Sequence, residues 1–294
     1  MRKIAVVTDS SAAIDSELQV QLERSGGFAV VPLGVSIENK SCADLSAEQL
    51  EHEITIAHVV GADIKTASPG PGVFSEVYSS LFEQGFESII SLHLSSHLSS
   101  TVESARVAAR LFSQPIYVID SANVAMALGF AASSVYHLAE SVDDAKKLAS
   151  VAFEMCENAQ LFFYIPTVDA LKRGGRVHPG MARVAQMFQI RPVATVQEGR
   201  LMYLQRPRSI ERAKEILLEY VALERERRSQ GQHAVENELT PEPHGEIVAI
   251  HYAGNLREAK AWAESVSEKA IPITPLPAVL SAHTGLGALA VVVY

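Results

Sequence analysis

Ser88-Ile89-Ile90-Ser91-Leu92-His93-Leu94-Ser95-Ser96-His97-Leu98-Ser99-Ser100-Thr101 is the stretch on which the fold turns. Residues 88–92 are a short uncharged run around Ile89 and Ile90 and read as a buried strand. Residues 95–101 carry five hydroxyls in seven positions, and residues 102–112 return to apolar side chains at helical intervals. Strand, polar loop and helix in that order form the repeating unit of a parallel sheet, because parallel strands need a long crossover between them.

The unit recurs on both sides. Residues 3–8 read as a strand that ends in Asp9-Ser10-Ser11, and residues 116–119 as one that ends in Asp120-Ser121. Ser46 and Gln49 have the capping-box spacing before a helix over 47–57. The loop Thr66-Ala67-Ser68-Pro69-Gly70-Pro71-Gly72 cannot be helix interior but can open the helix whose face is Val73, Val77, Leu81 and Phe82. Helices over 124–140 and 142–158 close the first half.

The pattern then changes. After a strand at 161–165, residues 192–196 and 201–205 flank the turn Gln197-Glu198-Gly199-Arg200 as a hairpin. A charged helix over 209–228 leads into a polar stretch at 229–244, read as an exposed loop. A strand at 247–251, a helix at 256–268 and strands at 271–273, 278–282 and 288–293 follow. The expected fold is α/β with two domains. Residues 1–158 form a parallel sheet with helices on both faces, and residues 159–294 a mixed sheet.

Composition narrows the function. The 294 residues carry 25 basic and 34 acidic side chains, a net charge of −9 that argues against general affinity for nucleic acid or anionic membrane. No apolar run reaches the about 18 residues of a spanning helix, and Asp9 interrupts the first apolar stretch too early for a signal peptide, so the expected location is the cytoplasm. Cys42 and Cys156 are far apart and read as packed, reduced thiols. His52 and His58 are six apart, where a metal-binding helix face needs four, and read as solvated helix residues. No metal site is expected. Gly285-Leu286-Gly287-Ala288-Leu289-Ala290 matches a dinucleotide fingerprint but lacks the helix and the later acidic residue, and neither a G-x-S-x-G elbow nor a Walker loop occurs.

Three groups of residues carry chemistry. Ser96, Ser99 and their neighbours, together with Thr66 and Ser68, stand before predicted helices at one sheet edge, where hydroxyls and free amides suit a carboxylate or phosphate; ordinary capping is the other reading. Lys172, Arg173 and Arg176 surround Gly174-Gly175, either as charges complementing a helix C-terminus or as an anion- or partner-recognising patch. His283 ends a predicted strand beside Gly285 and Gly287.

In order along the chain, Thr8-Asp9-Ser10-Ser11, Thr66-Ala67-Ser68-Pro69, Ser95-Ser96-His97-Leu98-Ser99-Ser100-Thr101, Val118-Ile119-Asp120-Ser121, Leu171-Lys172-Arg173-Gly174-Gly175-Arg176 and His283-Thr284-Gly285-Leu286-Gly287 resemble the DegV family. The resemblance runs end to end, with residues 229–244 as an unmatched insertion. It implies a carrier that holds one long-chain fatty acid between two domains, as in the FakB subunit of bacterial fatty acid kinase. There a separate ATP-dependent kinase phosphorylates the bound carboxyl group for phospholipid synthesis. By position, the resemblance places Thr66, Ser96, Ser99 and His283 around the carboxyl group and Arg176, with Arg173 and Lys172, toward the kinase. It implies no cofactor and no catalytic residue. The chain departs from the family at Ala67, Ser100 and Leu286, where serine, glycine and proline are usual. Phe162, Phe163, Ile165, Leu276, Val279 and Leu280 are candidates for the wall of an acyl tunnel. A hydrolase or phosphotransferase using Ser96 or Ser99 with His283 and Asp120 is the alternative.

Overall fold

A computed structural model describes residues 3–167, 171, 175, 190–232, 235, 237–266 and 269–294. Strand β1 (Ile4–Asp9) is followed by helix α1 (Ser16–Arg24) and β2 (Phe28–Val31), then by β3 (Gly34–Ile37), β4 (Lys40–Ser41), α2 (Ala47–Val60) and β5 (Ile64–Ala67). Next come α3 (Pro71–Glu83), β6 (Ser88–His93), α4 (Thr101–Ala109), β7 (Ile116–Asp120), α5 (Met126–Leu138) and α6 (Ala145–Asn158). The second half holds β8 (Gln160–Tyr164), β9 (Val193–Gln197), β10 (Arg200–Gln205), α7 (Ile210–Ser229), β11 (Ile247–Tyr252), α8 (Leu256–Val266), β12 (Ile273–Pro275), α9 (Ala278–Thr284) and β13 (Leu289–Val293).

The first sheet runs β2-β1-β6-β7 with every pair parallel. Both central strands are buried along their whole length, as their uninterrupted apolar runs require. Successive side chains feed two cores. Ala5, Val7 and Ile89 meet Phe74 and Tyr78 of α3 and Ala105 of α4, whereas Ile4, Val6, Ile90 and Leu92 meet α5 and α6. Helices therefore cover both faces. The capping box at Ser46 and Gln49 is formed.

The second sheet runs β10-β9-β8-β13-β11-β12 and is antiparallel except for β11 with β12. On one face, Phe162, Tyr164, Val291 and Val293 pack under α7 and α8; on the other, Leu161, Phe163, Ala290 and Val292 join the core that contains α5. Helix α5 touches β1 and β6 as well as β11 and β13. Its Gly129 is obligatory, since a Cβ there would lie 2.2 Å from the Ala12 carbonyl oxygen. The amide of Met126 at its N-terminus is capped by His251 Nε2 from β11 at 3.2 Å.

Four features differ from the sequence reading. Residues 278–282 are not a strand: α9 starts after Pro277 and ends at Gly285, whose amide bonds Ser281. A small antiparallel sheet, β4-β3-β5, packs with α2 against α9 in a core of its own around Val35, Ile54, Ile64, Val279 and Ala282. Its strands are too short to show a period. His58 is not a solvated residue, because its ring bonds the Ser281 carbonyl at 2.9 Å. The stretch 229–244 is not wholly exposed: Thr240 is buried and donates its hydroxyl to Glu154 at 2.7 Å, beside the Asn237 amide. The buried carboxylate needs donors, and the stretch supplies them.

Candidate functional site

The loops at the carboxyl ends of β6 and β7 meet the inner face of the second sheet, and α9 with β5 closes the side. Between them lies a cavity. Its empty volume, counted together with the solvent at its mouth, is about 960 Å³.

All but five of its described lining residues are apolar, and Leu94, Leu98, Val124, Phe163, Leu276 and Leu280 are among them. The period of two in β8 decides which aromatic residues face it. Phe163 lines the cavity, while Phe162 points to the opposite face and stacks on Tyr220 at 5.7 Å. Val279 also lines it, and Ile165 packs in the adjoining core instead. Neither Phe162 nor Ile165 is tunnel wall.

The five polar residues are Thr66, Ser68, Ser99, His283 and Thr284. Thr66 Oγ1 lies 2.9 Å from His283 Nε2, and Ser99 Oγ lies 2.8 Å from both Ser68 Oγ and Thr101 Oγ1. The Thr284 hydroxyl is buried with no hydrogen-bond partner among the described residues. No carboxylate or ammonium group lines the cavity among those residues. Thr66 lies in β5 and Ser68 just past its end, and both line the cavity.

Simple capping does not explain the serine-rich loop. Ser100 occupies the N-cap position of α4 without a side-chain cap bond, and Gly70 does the same for α3. Ser95 builds the turn instead. Its carbonyl accepts the amides of Leu98 and Ser99, and its hydroxyl donates to the Gly199 carbonyl in the β9–β10 turn at 2.7 Å. Ser99 thereby faces inward. Ser96 is exposed, lies outside the cavity, and gives its amide to Asp120. Asp120 also accepts the Ala122 amide, so this carboxylate orders a loop while His283 meets Thr66.

A second polar chain supports the same edge. Asp9 accepts the Leu94 amide and the ring of His93 at 3.0 Å, and the amide and hydroxyl of Ser11 on its other oxygen. His93 continues to Ser91 and Tyr78 at 2.7 and 2.6 Å. Asp9, His93 and Ser91 are fully buried. The Ser10 hydroxyl accepts the amide of Leu33, another lining residue. Sequence reasoning singled out the Asp9 motif as the end of a strand and missed this clamp; the signal for it was a histidine at the end of an apolar strand.

Lys172, Arg173 and Arg176 lie outside the described residues. Among the described residues, no group of three or more His, Cys, Asp or Glu side chains could hold a metal, and no helix is long and apolar enough to cross a membrane.

Against known proteins, the DegV family profile matches residues 3–294. The chain belongs to the DegV family. A DegV domain-containing protein of Streptomyces coelicolor is 30% identical over 297 residues, covering 99% of this chain and 98% of the relative. One of Staphylococcus aureus is 30% identical over 301 residues, covering 100% and 99%. Among solved structures, a DegV family protein of Thermus thermophilus described by its fatty acid binding superposes with a TM-score of 0.83 at 26% identity, covering 100% of this chain and 99% of its own. The α/β fold with a parallel and a mixed sheet is thus that of DegV proteins.

Proposed function

We propose that this DegV protein carries one long-chain fatty acid between a domain of residues 1–158 and one of residues 159–294. Its alkyl chain lies in the cavity and its carboxylate against Thr66, Ser99 and His283, with Ser68 and Thr284 beside them. The observation that carries this reading is the composition of the cavity, whose described lining is apolar except for five hydroxyl or imidazole side chains, of which Thr66 bonds His283 and Ser68 bonds Ser99. The fatty acid binding of the Thermus thermophilus relative supports it.

The energetics agree. Burying about fourteen methylenes at about 0.8 kcal/mol each supplies roughly 11 kcal/mol before the costs of association. A carboxylate without partners would cancel much of that, so the apolar space must end in donors. Hydroxyls can turn to donate, and His283 can donate from its ring, without a buried cation. A hydroxyl left unpaired in a buried site costs about 1–3 kcal/mol, a deficit that a ligand oxygen at Thr284 removes.

In this reading the protein is a cytoplasmic carrier rather than an enzyme and needs no cofactor. A separate ATP-dependent kinase phosphorylates the carboxyl group for phospholipid synthesis, and Arg176, with Arg173 and Lys172, faces that partner. An organic extract of the purified protein, analysed by mass spectrometry, is expected to contain about one fatty acid per chain. Ser99→Ala is expected to weaken uptake of added acid roughly tenfold or more, the worth of a hydrogen bond to a charged group. Ser96→Ala leaves it unchanged, and Arg176→Ala spares uptake while impairing phosphorylation by the kinase. Absence of lipid together with no uptake rejects the carrier; equal effects of Ser99→Ala and Arg176→Ala on uptake reject the division of roles.

A further inference from the structure

Ala125 stands at the N-cap of α5, where a residue ordinarily has extended backbone and bonds a free amide with its own side chain. It does neither. Its φ is +58° and its ψ −149°, a region that suits glycine, and its methyl group makes no cap bond. A conformation of this kind persists only where the surrounding contacts impose it, and it is found where a site needs its shape.

The contacts that impose it come from both halves. Only two torsions separate the amide of Ala125 from that of Met126, so holding both amides fixes the strained residue between them. The Ala125 amide donates to the Ser11 carbonyl oxygen, in the loop after β1, at 3.0 Å. The Met126 amide donates to His251 Nε2 of β11 at 3.2 Å. His251 is fully buried, and its Nδ1 meets Thr274 Oγ1 of β12 at 2.9 Å, which sets the ring. On the other side of Ala125, Asn123 Oδ1 accepts the Val124 amide at 3.1 Å while its Nδ2 donates to the Ala159 carbonyl at 2.9 Å.

The strained residue belongs to the cavity. Val124 and Ala125 both line it, whereas His251, Ser11 and Asn123 are not among its lining residues. Rotation of Ala125 into an ordinary backbone region would swing its Cβ and the Val124 segment relative to α5, and would break one of the two amide bonds. His251 thus governs a wall that it does not touch.

We infer that His251 is a positioning residue for the fatty acid: through the Met126 amide it holds Ala125 in its strained backbone and keeps the Val124–Ala125 wall in the shape that receives the acyl chain. This rests on the fatty-acid reading above and deepens it from a cavity to the group that preorganises one of its walls.

The test is equilibrium binding of oleate to delipidated full-length protein, with the melting temperature of each ligand-free variant recorded alongside. His251→Leu, which offers no acceptor, is expected to bind roughly tenfold more weakly, and His251→Gln, whose amide oxygen can accept, to stay within about threefold of wild type. Ala125→Gly reaches the same torsions without strain, so it is expected to melt a few degrees higher than wild type. The methyl it lacks costs at most about fourfold in affinity. In that background His251→Leu is expected to cost less than about threefold more, because the glycine no longer has to be held. Equal losses in the two backgrounds, wild-type affinity in His251→Leu, or a lowered melting temperature in Ala125→Gly each overturn the inference and leave the fatty-acid reading standing. If His251→Leu does not fold, His251→Asn, whose shorter amide stops short of Met126, takes its place in both backgrounds. No binding by wild type overturns both readings.

Discussion

Met126 gives its amide to His251 Nε2, so that nitrogen must carry no proton, and Nδ1–H is left to donate to Thr274 Oγ1 at 2.9 Å. Burial lowers the His251 pKa from 6.5 to about 4. The unfolded chain therefore binds a proton across that interval while the folded chain does not. Stability from this residue is present above pH 6.5 and is lost as pH falls toward 4, by roughly 3 kcal/mol in all. Denaturant titrations between pH 7 and pH 4 should show this decline, and His251→Gln should flatten it; an equal decline in the variant would assign it to other groups. Nothing in the sequence marked His251 as a cap, because it meets Met126 only across the two halves. The hydroxyls were easier to read. Their density around Ser99 and their position after a strand were visible, but which of them turns inward depends on the Ser95 turn, and that turn is tied to Gly199, 104 residues away.

At the scale of elements, short apolar runs are where periodicity fails. Residues 278–282 read Ala-Val-Leu-Ser-Ala, five residues that suit a strand or a helix equally; Pro277 before them and Gly285 after them were the helix punctuation. The consequence reaches the site, since it is the helical turn that sets His283 beside Thr66. The β9–β10 hairpin, by contrast, was legible from Glu198-Gly199, and both residues adopt positive φ as a tight primed turn requires. Gly199 is constrained twice. Its φ is +75°, and a Cβ would lie 2.5 Å from Ser95 Oγ. Gly199→Ala is expected to cost about 1–2 kcal/mol for the left-handed backbone alone, with a further loss from the displaced serine. A double-mutant cycle with Ser95→Ala separates the two, because removing the hydroxyl relieves only the second. Urea unfolding that gives strictly additive losses would mean the hairpin and the serine loop are not coupled.

For the whole molecule, the alternation of strands and helices revealed the two sheets but not how they are joined. A single core runs from Ile4 and Leu92 through Leu128 and Tyr136 of α5 to Phe163 and Val292, and the cavity opens within that shared region. Sequence periodicity assigns α5 an apolar character but cannot say that it is apolar all round because two sheets claim it. A ligand in the cavity then bridges elements of both halves and binds only the folded chain. On the proposed carrier function, fatty acid at about one hundred times its Kd is expected to add about 2.7 kcal/mol to stability, a rise in Tm on the order of 5–10 °C. Delipidated protein should melt earlier than protein as isolated, and adding back oleate should restore the difference in one shared transition. Two resolved transitions of which only one responds would confine the ligand to one half, and a Tm indifferent to oleate would remove the bridge altogether.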